Sequence, residues 1–299
     1  MGARSAGGAM TAVEEVEGRP PSPLVRAWRL VSARRLHLLA MSLVVLLILA
    51  AVLGPLLAPY GPTAQNLPDQ LRPPSAQHWL GTDQFGRDIL SRVLAGARLA
   101  LLIGLLSDAV ALFFGSLLGL ASAFYGRWAD AVIMRVMDMM LAFPYLLLAM
   151  LVIAALGTGL TSAMIAIGIV YVPQFARLVR SAALAVREEQ YVEAARALGV
   201  GRTRIIVRHA LPNVTPPAIA QATLLFGISI LEVAGLGFLG LGAQPPTPEW
   251  GAMLAESRTY ILISWWTGAF PGLAIMLSVL AFNLLGDVVR DFFDVRSQV

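Results

Sequence analysis

The chain has 299 residues, of which 58% are hydrophobic and only 13% are charged, and its mean hydropathy is +0.74. Soluble domains carry about 25% charged residues, so this composition predicts an integral membrane protein rather than a soluble one. The net charge of +4, made with 22 arginines and no lysine, is too small and too dispersed to indicate nucleic-acid binding. The absence of cysteine excludes disulfides and thiolate metal sites, and the three histidines lie too far apart in sequence to suggest a metal site.

Apolar runs along the chain predict an all-α, polytopic fold with about six transmembrane helices. Residues 1–35 are polar, hold six arginines and are predicted to form a cytoplasmic tail. The first run covers about 23 residues, 36–58; it is longer than the apolar core of a signal peptide and long enough to span a bilayer. Residues 36–299 are therefore interpreted as one transmembrane domain, with further spans at about 99–125, 139–156, 160–176, 218–242 and 267–289.

The distribution of arginine predicts the orientation of these spans. With the N-terminus in the cytoplasm, the inner segments hold 17 of the 22 arginines, as the positive-inside rule requires. Both termini and the loop 177–217 are then cytoplasmic, and the long loops 59–98 and 243–266 are external. The proline-rich stretch 245–251 in the second external loop predicts the start of a short interfacial helix.

The cytoplasmic loop has the most informative local pattern. Residues 187–198 are strong helix formers without glycine or proline, and Gly199 and Gly201 end that helix in a turn. A second short helix is expected at about 203–210, before Pro212. Read physically, the small residues offer a low surface for docking in a groove of a soluble partner; the alternative is a solvated loop whose arginines bind lipid headgroups. The residue pattern alone leaves both interpretations open.

The same residues resemble the EAA loop of ABC importer permeases. The resemblance rests on Glu193-Ala194-Ala195, on Gly199 and on Leu211-Pro212 at the far end. His209 occupies a position that is aliphatic in the general pattern, and an Arg-His pair there resembles the peptide-importer branch. The resemblance implies a coupling helix that docks on an ATP-binding subunit, with Glu193, Ala194, Ala195, Arg196, Gly199, Leu211 and Pro212 as the coupling residues.

A second motif, residues 78–92, lies in the first external loop. Gly81 and Gly86 predict turns, Thr82 or Asp83 is a candidate cap of a short helix, and Asp88 is expected to pair with Arg92. The carboxylate spacing does not fit an EF-hand, which favours a rigid structural loop over a calcium site. With residues 96–98, the motif is similar to dipeptide, oligopeptide and nickel permeases, and its candidate site residues are Gly81, Thr82, Asp83, Gly86, Arg87 and Asp88.

A third motif, residues 232–242, is similar to the same family and contains four glycines that allow close packing at a membrane interface. Glu232 begins it inside a predicted span, and Asp108 lies inside another. A carboxylate within a span more often faces a cavity or a partner than lipid, so both residues are candidates for a translocation path. For Glu232, a protonated or hydrogen-bonded packing role remains equally open.

Together the resemblances imply a type I ABC importer permease fold in a bacterial inner membrane. The implied function is ATP-driven, binding-protein-dependent import, with di- or oligopeptides as the expected cargo and nickel chelates or other small solutes as alternatives. The implied partners are a homologous second permease, two ATP-binding subunits, an extracytoplasmic solute-binding protein and membrane lipid, with no nucleic acid. No catalytic site, metal site or cofactor is expected on this chain. A chain without lysine has no P-loop, so ATP and Mg are expected on the partner subunits.

Two other classes of protein stay open on the residues alone. An ion-gradient-driven secondary transporter would use intramembrane carboxylates, for which Asp108 and Glu232 are the candidates. A membrane-embedded enzyme would need clustered polar residues at one membrane face, and the sequence contains neither a GxSxG elbow nor an HExxH motif.

Overall fold

The computed structural model describes residues 23–296 of the chain, with side chains described for residues 37–293. Within that part every regular element is a helix, and the only bridge is an isolated one between Thr82 and Asp88, so the predicted all-α class is confirmed. A single 3₁₀ turn, Leu67–Asp69, lies in the segment between the first two long helices. The α-helices are α1 Pro23–Leu57, α2 Ile89–Phe124, α3 Arg127–Leu141, α4 Tyr145–Leu156, α5 Leu160–Arg187, α6 Gln190–Ala197, α7 Arg202–Ile205, α8 Leu211–Phe238, α9 Trp250–Ser257 and α10 Trp266–Arg296.

Five of the helical segments are long and apolar enough to cross a membrane. Helices α3 and α4, bent by 100° at a short break, make a sixth candidate span when they are counted together. The predicted number of about six spans agrees with this result. The five segments are His37–Leu57, Ile89–Phe124, Leu160–Arg187, Arg202–Phe238 and Trp266–Phe293.

The two ends of the helical bundle are built differently. At one end lies the cap, defined as residues 58–88 and 239–265; here the Gly159 N–H, before α5, donates to the Leu241 carbonyl, after α8, at 3.2 Å. At the other end lies the knuckle, residues 188–201, which connects α5 to α7. His37 in α1 and Asp291 in α10 approach to 3.6 Å at the end opposite the cap, so the described parts of α1 and α10 bring the chain back to the knuckle side.

Helices α2 and α5 form the centre of the bundle and approach closely through small residues. A Cβ added to Gly119 of α2 would lie 2.6 Å from the Ala176 carbonyl of α5, and one added to Gly168 of α5 would lie 2.7 Å from Val110 Cβ of α2. Neither contact leaves space for a side chain. The glycines therefore set the distance between the two helices, as small residues do in membrane bundles.

Helix α2 begins at Ile89, well before the predicted start at residue 99. The Asp88 carboxylate caps it by accepting the Ser91 N–H at 2.8 Å, so neither Thr82 nor Asp83 is the helix cap. The predicted external loop 59–98 therefore ends at Asp88. Helix α1 likewise begins at Pro23, inside the predicted tail 1–35; the remainder of that tail, residues 1–22, lies outside the described residues.

Proline breaks the helices at one place where no break was predicted, and fails to end them at two places where an end was predicted. The expected span 139–156 is broken just before Pro144, which starts α4. Helix α5, by contrast, continues through the buried Pro173 to Arg187, and a continuous helical run passes Pro212 between Arg202 and Phe238. The prediction of a short helix ending at residue 210 is thus wrong, and the predicted loop 177–217 contains a connection of only residues 188–201.

At Pro212 the chain adjusts the helix locally instead of ending it. Residues 206–210 form a turn of π-helix before Pro212, and the Asn213 side-chain amide donates to the His209 carbonyl at 2.7 Å. Neighbouring helices and such local adjustments allow proline inside membrane helices, where leaving the helix would expose more unpaired backbone.

Candidate functional site

The knuckle is held to the bundle by one buried side chain. Helix α6 is short, and Val192 is its only buried residue; it packs in a cluster with Val179 of α5, Ile205 of α7 and Val214 of α8. Tyr191 adds a second contact, since its ring lies 5.7 Å from the His209 ring and its hydroxyl is 3.4 Å from the Asn213 amide. An isolated helix of this length is not stable in water, so these contacts are what fix α6.

A Schellman turn ends α6 and reverses the chain. Gly199 has φ +78°, its N–H donates to the Arg196 carbonyl at 2.9 Å, and the Val200 N–H donates to the Ala195 carbonyl at 3.0 Å. Only glycine adopts this conformation without a steric cost. The predicted role of Gly199 in setting the turn agrees with this geometry, and the helical run restarts at Arg202.

The outer surface of the knuckle combines charge with an exposed apolar side chain. Glu193, Ala194 and Arg196 are exposed, Ala195 is half-buried, and Leu198 at the end of the helix is 84% exposed. Leu198 is therefore an apolar side chain, next to small residues, that the chain itself leaves unburied. Two more of the predicted coupling residues, Leu211 and Pro212, are exposed on the first turn of α8, which the Tyr191–Asn213 contact joins to α6.

An arginine-lined pocket of about 410 Å³ lies beside the knuckle. Arg187 donates to the Ala123 carbonyl at the end of α2 at 2.7 Å, and Arg202 lies over the Tyr125 ring at 5.3 Å. A cation at a helix C-terminus complements the helix dipole, so Arg187 joins α2 to α5. The sequence interpretation did not single out Arg187 or Arg202. The pocket lining is Phe124, Arg187, Arg196, Val200, Arg202 and Ile205.

The two carboxylates predicted within spans are brought together in the middle of the bundle. Asp108 of α2 accepts a hydrogen bond from the Ser229 hydroxyl of α8 at 3.0 Å, and Glu232 lies one turn after Ser229. Tyr171 of α5 lies beside Glu232, and its hydroxyl interacts with that carboxyl group. Sequence reasoning missed Tyr171 and Ser229, because a tyrosine and a serine in apolar spans carry no signal until the helices are packed.

The external motif forms an internal lock of buried charges. Arg87 and Arg92 are each 1% exposed. Arg87 Nε lies 2.6 Å from Asp83 Oδ2, and its Nη2 lies 2.6 Å from Glu256 Oε2 of α9; Arg92 Nη2 reaches the same Glu256 oxygen at 3.3 Å. The expected pair of Asp88 with Arg92 is wrong: Asp88 instead contacts His78 at 2.9 Å.

The glycines of this motif make the turns predicted for them. Gly81 and Gly86 have φ +79° and +69°, and a Cβ at Gly86 would overlap the Asn66 carbonyl. The Thr82 carbonyl accepts the Trp266 indole N–H at 3.1 Å, which ties the motif to the start of α10. All of these polar groups are used within the chain, and the described residues contain no group of three or more His, Cys, Asp or Glu side chains that could hold a metal ion. The motif is therefore a structural element.

Helix α9 is the short helix predicted after the proline-rich stretch. Glu249 caps it, accepting the N–H groups of Gly251 and Ala252 at 2.7 Å each. Burial raises the pKa of Glu249, while these two hydrogen bonds act to lower it. Gly237 of α8 lies directly against the Glu249 carboxylate. Among the four glycines of the motif, Gly237 is therefore one at which a close approach leaves no space for a side chain.

The comparisons with known families agree with this arrangement. Residues 111–299 match the family described as "Binding-protein-dependent transport system inner membrane component". Residues 22–74 match the "N-terminal TM domain of oligopeptide transport permease C".

Several named transport permeases are similar over almost the whole chain. The "Dipeptide transport system permease protein DppC" of Alkalihalophilus pseudofirmus is 50% identical, over 91% of this chain and 90% of its own length. The "Di/tripeptide transport system permease protein DppC" of Pseudomonas aeruginosa is 48% identical, over 92% of each. The "Glutathione transport system permease protein GsiD" of Pectobacterium atrosepticum is 44% identical, over 91% of each.

A solved structure of the inward facing MetNI methionine ABC transporter contains a similar chain. Its TM-score is 0.55 at 20% identity, and the match covers 67% of this chain and 95% of that one. At this identity the likeness concerns the fold alone.

Proposed function

This chain belongs to the family of inner membrane components of binding-protein-dependent transport systems, and we propose that it forms half of the translocation path of an ATP-driven peptide importer. It is a permease subunit of the ABC importer type, and its relatives are dipeptide, di/tripeptide and glutathione permeases. The interpretation as an ion-gradient-driven transporter is replaced by this family membership. The proposed cargo is a di- or oligopeptide.

The observation that carries the proposal is the knuckle. It presents exposed Glu193, Ala194 and Leu198 on a short helix whose position is fixed by buried Val192 and by the turn at Gly199. A surface that is rigid and yet has unused apolar area is suited to binding a soluble partner. We assign that partner as an ATP-binding subunit.

The other partners follow from what a single chain of this kind lacks. We assign ATP and Mg to two partner subunits, as the resemblance to ABC importer permeases implies; the absence of lysine, and so of a P-loop, in this chain supports the assignment. One bundle of about six spans would enclose a path together with a homologous second permease. A solute-binding protein would deliver cargo at the cap, and lipid would surround the apolar spans.

The orientation proposed for the chain places the knuckle in the cytoplasm of a bacterial cell with the cap outside the inner membrane. The arginine distribution supports it, because the knuckle side holds most of the arginines. The helices alternate in direction, so the described ends of α1 and α10 lie on the knuckle side, and both termini are assigned to the cytoplasm.

The continuous helical run from Arg202 to Phe238 gives the knuckle a mechanical connection to the bundle. Movement of the ATP-binding subunits would displace the knuckle and, with it, the start of this run. The permease would then alternate between inward-open and outward-open states, to which ATP and cargo bind with different affinities.

The test is co-purification of the tagged chain from its native membrane, comparing wild type with Glu193→Ala. We expect an ATP-binding protein and a second permease to co-purify with the wild type, and the ATP-binding protein to be reduced about tenfold by the substitution. Recovery of the wild-type chain alone, under conditions that preserve other membrane complexes, would contradict the proposal.

A pair of glycines provides a matched control for the knuckle geometry. Gly199 has φ +78°, whereas Gly201 lies at φ −63°, and neither has neighbours within 4 Å that an added methyl group would meet. Gly199→Ala should distort the turn at a cost of about 1 kcal/mol and weaken capture of the ATP-binding subunit. Gly201→Ala should leave capture near the wild-type level, and equal effects of the two changes would argue against a role of the turn.

A further inference from the structure

Three helices meet at a polar cluster inside the bundle, between the knuckle and the cap. The cluster consists of Asp108 on α2, Tyr171 on α5, and Ser229 and Glu232 on α8. Asp108 is 5% exposed and Glu232 is 9% exposed, so each carboxyl group is more than nine-tenths buried. Two ionised carboxylates in an apolar bundle are costly unless they take up a proton or a cation binds them.

Each carboxyl group has one oxygen that the chain leaves unused. Ser229 donates to Asp108 Oδ1, but Asp108 Oδ2 has no hydrogen-bond partner. Tyr171 interacts with the Glu232 carboxyl group, but Glu232 Oε2 has no hydrogen-bond partner. Among the ion pairs between described side chains, none includes either carboxylate. The cluster therefore has spare acceptors, neutral neighbours and no cation of its own.

The two unused carboxyl oxygens would be satisfied by a compact cation that donates hydrogen bonds. A packing role alone would be served by apolar residues or by a pair whose oxygens are all bound, as in the cap lock formed by Asp83, Arg87, Arg92 and Glu256. The N-terminal ammonium group of a peptide has three N–H donors and a single positive charge, and every ordinary peptide carries it regardless of its side chains.

We propose that Asp108 and Glu232 form an acidic subsite on the translocation path that binds the N-terminal ammonium group of a peptide cargo. This inference rests on the proposed function as a peptide importer. Ser229 and Tyr171 are positioning residues, since each holds one oxygen of a carboxyl group and leaves the other free.

The subsite is closed in the present arrangement of helices, and its connection to the knuckle suggests how it opens. Ser229 and Glu232 lie on the same helical run as the end of the knuckle, after roughly 40 Å of helix. Displacement of that run relative to α2 would separate Ser229 from Asp108 and expose both carboxyl groups to the path. The subsite would then be available in only some states of the transport cycle, as alternating access requires.

The test uses the full assembly of this chain with its sister permease, ATP-binding subunits and binding protein, reconstituted in proteoliposomes. Uptake of the dipeptide Ala-Ala is compared for wild type, Asp108→Asn, Glu232→Gln and the double variant, with Asp287→Asn as control because Asp287 is an exposed carboxylate on α10. We expect uptake by the double variant to fall about tenfold, while assembly and ATP hydrolysis stay within about twofold of wild type. Asp287→Asn should import at the wild-type rate.

A second measurement separates binding of an ammonium group from a structural role. Methylammonium chloride at equal concentration on both sides of the membrane should inhibit uptake by the wild type more than sodium chloride at the same ionic strength. That difference should be smaller in Glu232→Gln and in Asp108→Asn than in the wild type, because the site that binds the probe has lost charge. A merely structural role would leave the difference unchanged.

The outcomes are distinguishable. Uptake at the wild-type rate by both single variants and by the double variant would overturn the subsite. Equal inhibition by methylammonium and sodium would also overturn it, because that result would indicate a site for any small cation. The variants could instead lose both uptake and assembly while methylammonium still inhibits the single variants as it does the wild type. That result would assign the carboxylates to packing and would also overturn the subsite. A wild-type assembly that hydrolyses ATP but imports no dipeptide would instead contradict the proposed function on which the subsite rests.

Discussion

The cap and the knuckle both contain charged residues, but the cap uses its charges internally while the knuckle presents them outward. Arg87 and Arg92 in the cap lock are buried and paired with Asp83 and Glu256. Arg196 and Leu198 in the knuckle are exposed, as is Arg202 directly after it. A conspicuous sequence motif is therefore not by itself a binding site. The buried, fully paired motif of the cap lock stabilises the chain, and the exposed motif of the knuckle is available to a partner.

The largest effect on stability is expected from removing a charge from the cap lock. Glu256→Ala should lower the free energy of unfolding by about 3 kcal/mol, because Arg87 and Arg92 would lose a shared carboxylate while remaining buried. The measurement is unfolding of the purified chain in mixed micelles by titration with SDS.

The matched control for that experiment is Asp138→Ala, which removes the carboxylate partner of Arg177 from a half-exposed ion pair between α3 and α5. It should cost less than about 1 kcal/mol, because water solvates the remaining arginine. Similar losses for the two variants would show that the cap lock is not special.

A smaller effect is expected from two leucines at opposite ends of the bundle. Leu198 at the knuckle is 84% exposed and Leu262 in the cap is 97% exposed, so neither contributes much to the stability of the chain. Leu198→Ala should weaken binding of the ATP-binding subunit about tenfold, because an exposed anchor side chain is lost from the interface. Leu262→Ala should leave that binding unchanged in the same titration of purified subunits, and an equal loss for both would contradict the knuckle as the docking surface.

The smallest effect concerns an arginine of the knuckle pocket. Arg202→Ala removes only the contact with the Tyr125 ring and should change the free energy of unfolding by about 0.5 kcal/mol. Arg92→Ala in the cap lock, measured by the same SDS titration, should cost about 3 kcal/mol because it leaves Asp83 and Glu256 short of a buried partner. A large loss for Arg202→Ala would show that the knuckle charges are structural after all.

Local patterns predicted the knuckle well because its signals act over one or two turns of chain. Helix formers before Gly199 indicate a short helix, and a glycine at its end is the normal means of closing it. Asp88 was harder to interpret, because a carboxylate four residues before an arginine also fits an ion pair. Its actual roles, as cap of α2 and partner of His78, depend on a backbone turn that no sequence spacing reveals.

The amino-acid sequence by itself determined the membrane location, the all-α class, the approximate number of spans and the place of the knuckle, since hydropathy and helix-ending residues act locally. Tertiary structure decided that the helices continue past Pro173 and Pro212, that Arg87 and Arg92 share Glu256, and that Asp108 meets Ser229. The physical reason is that these contacts join residues far apart in the chain, and their energy exists only once the helices have packed. Burial makes most polar groups bind a partner within the chain, whereas Asp108 and Glu232 each keep one buried oxygen without a hydrogen-bond partner.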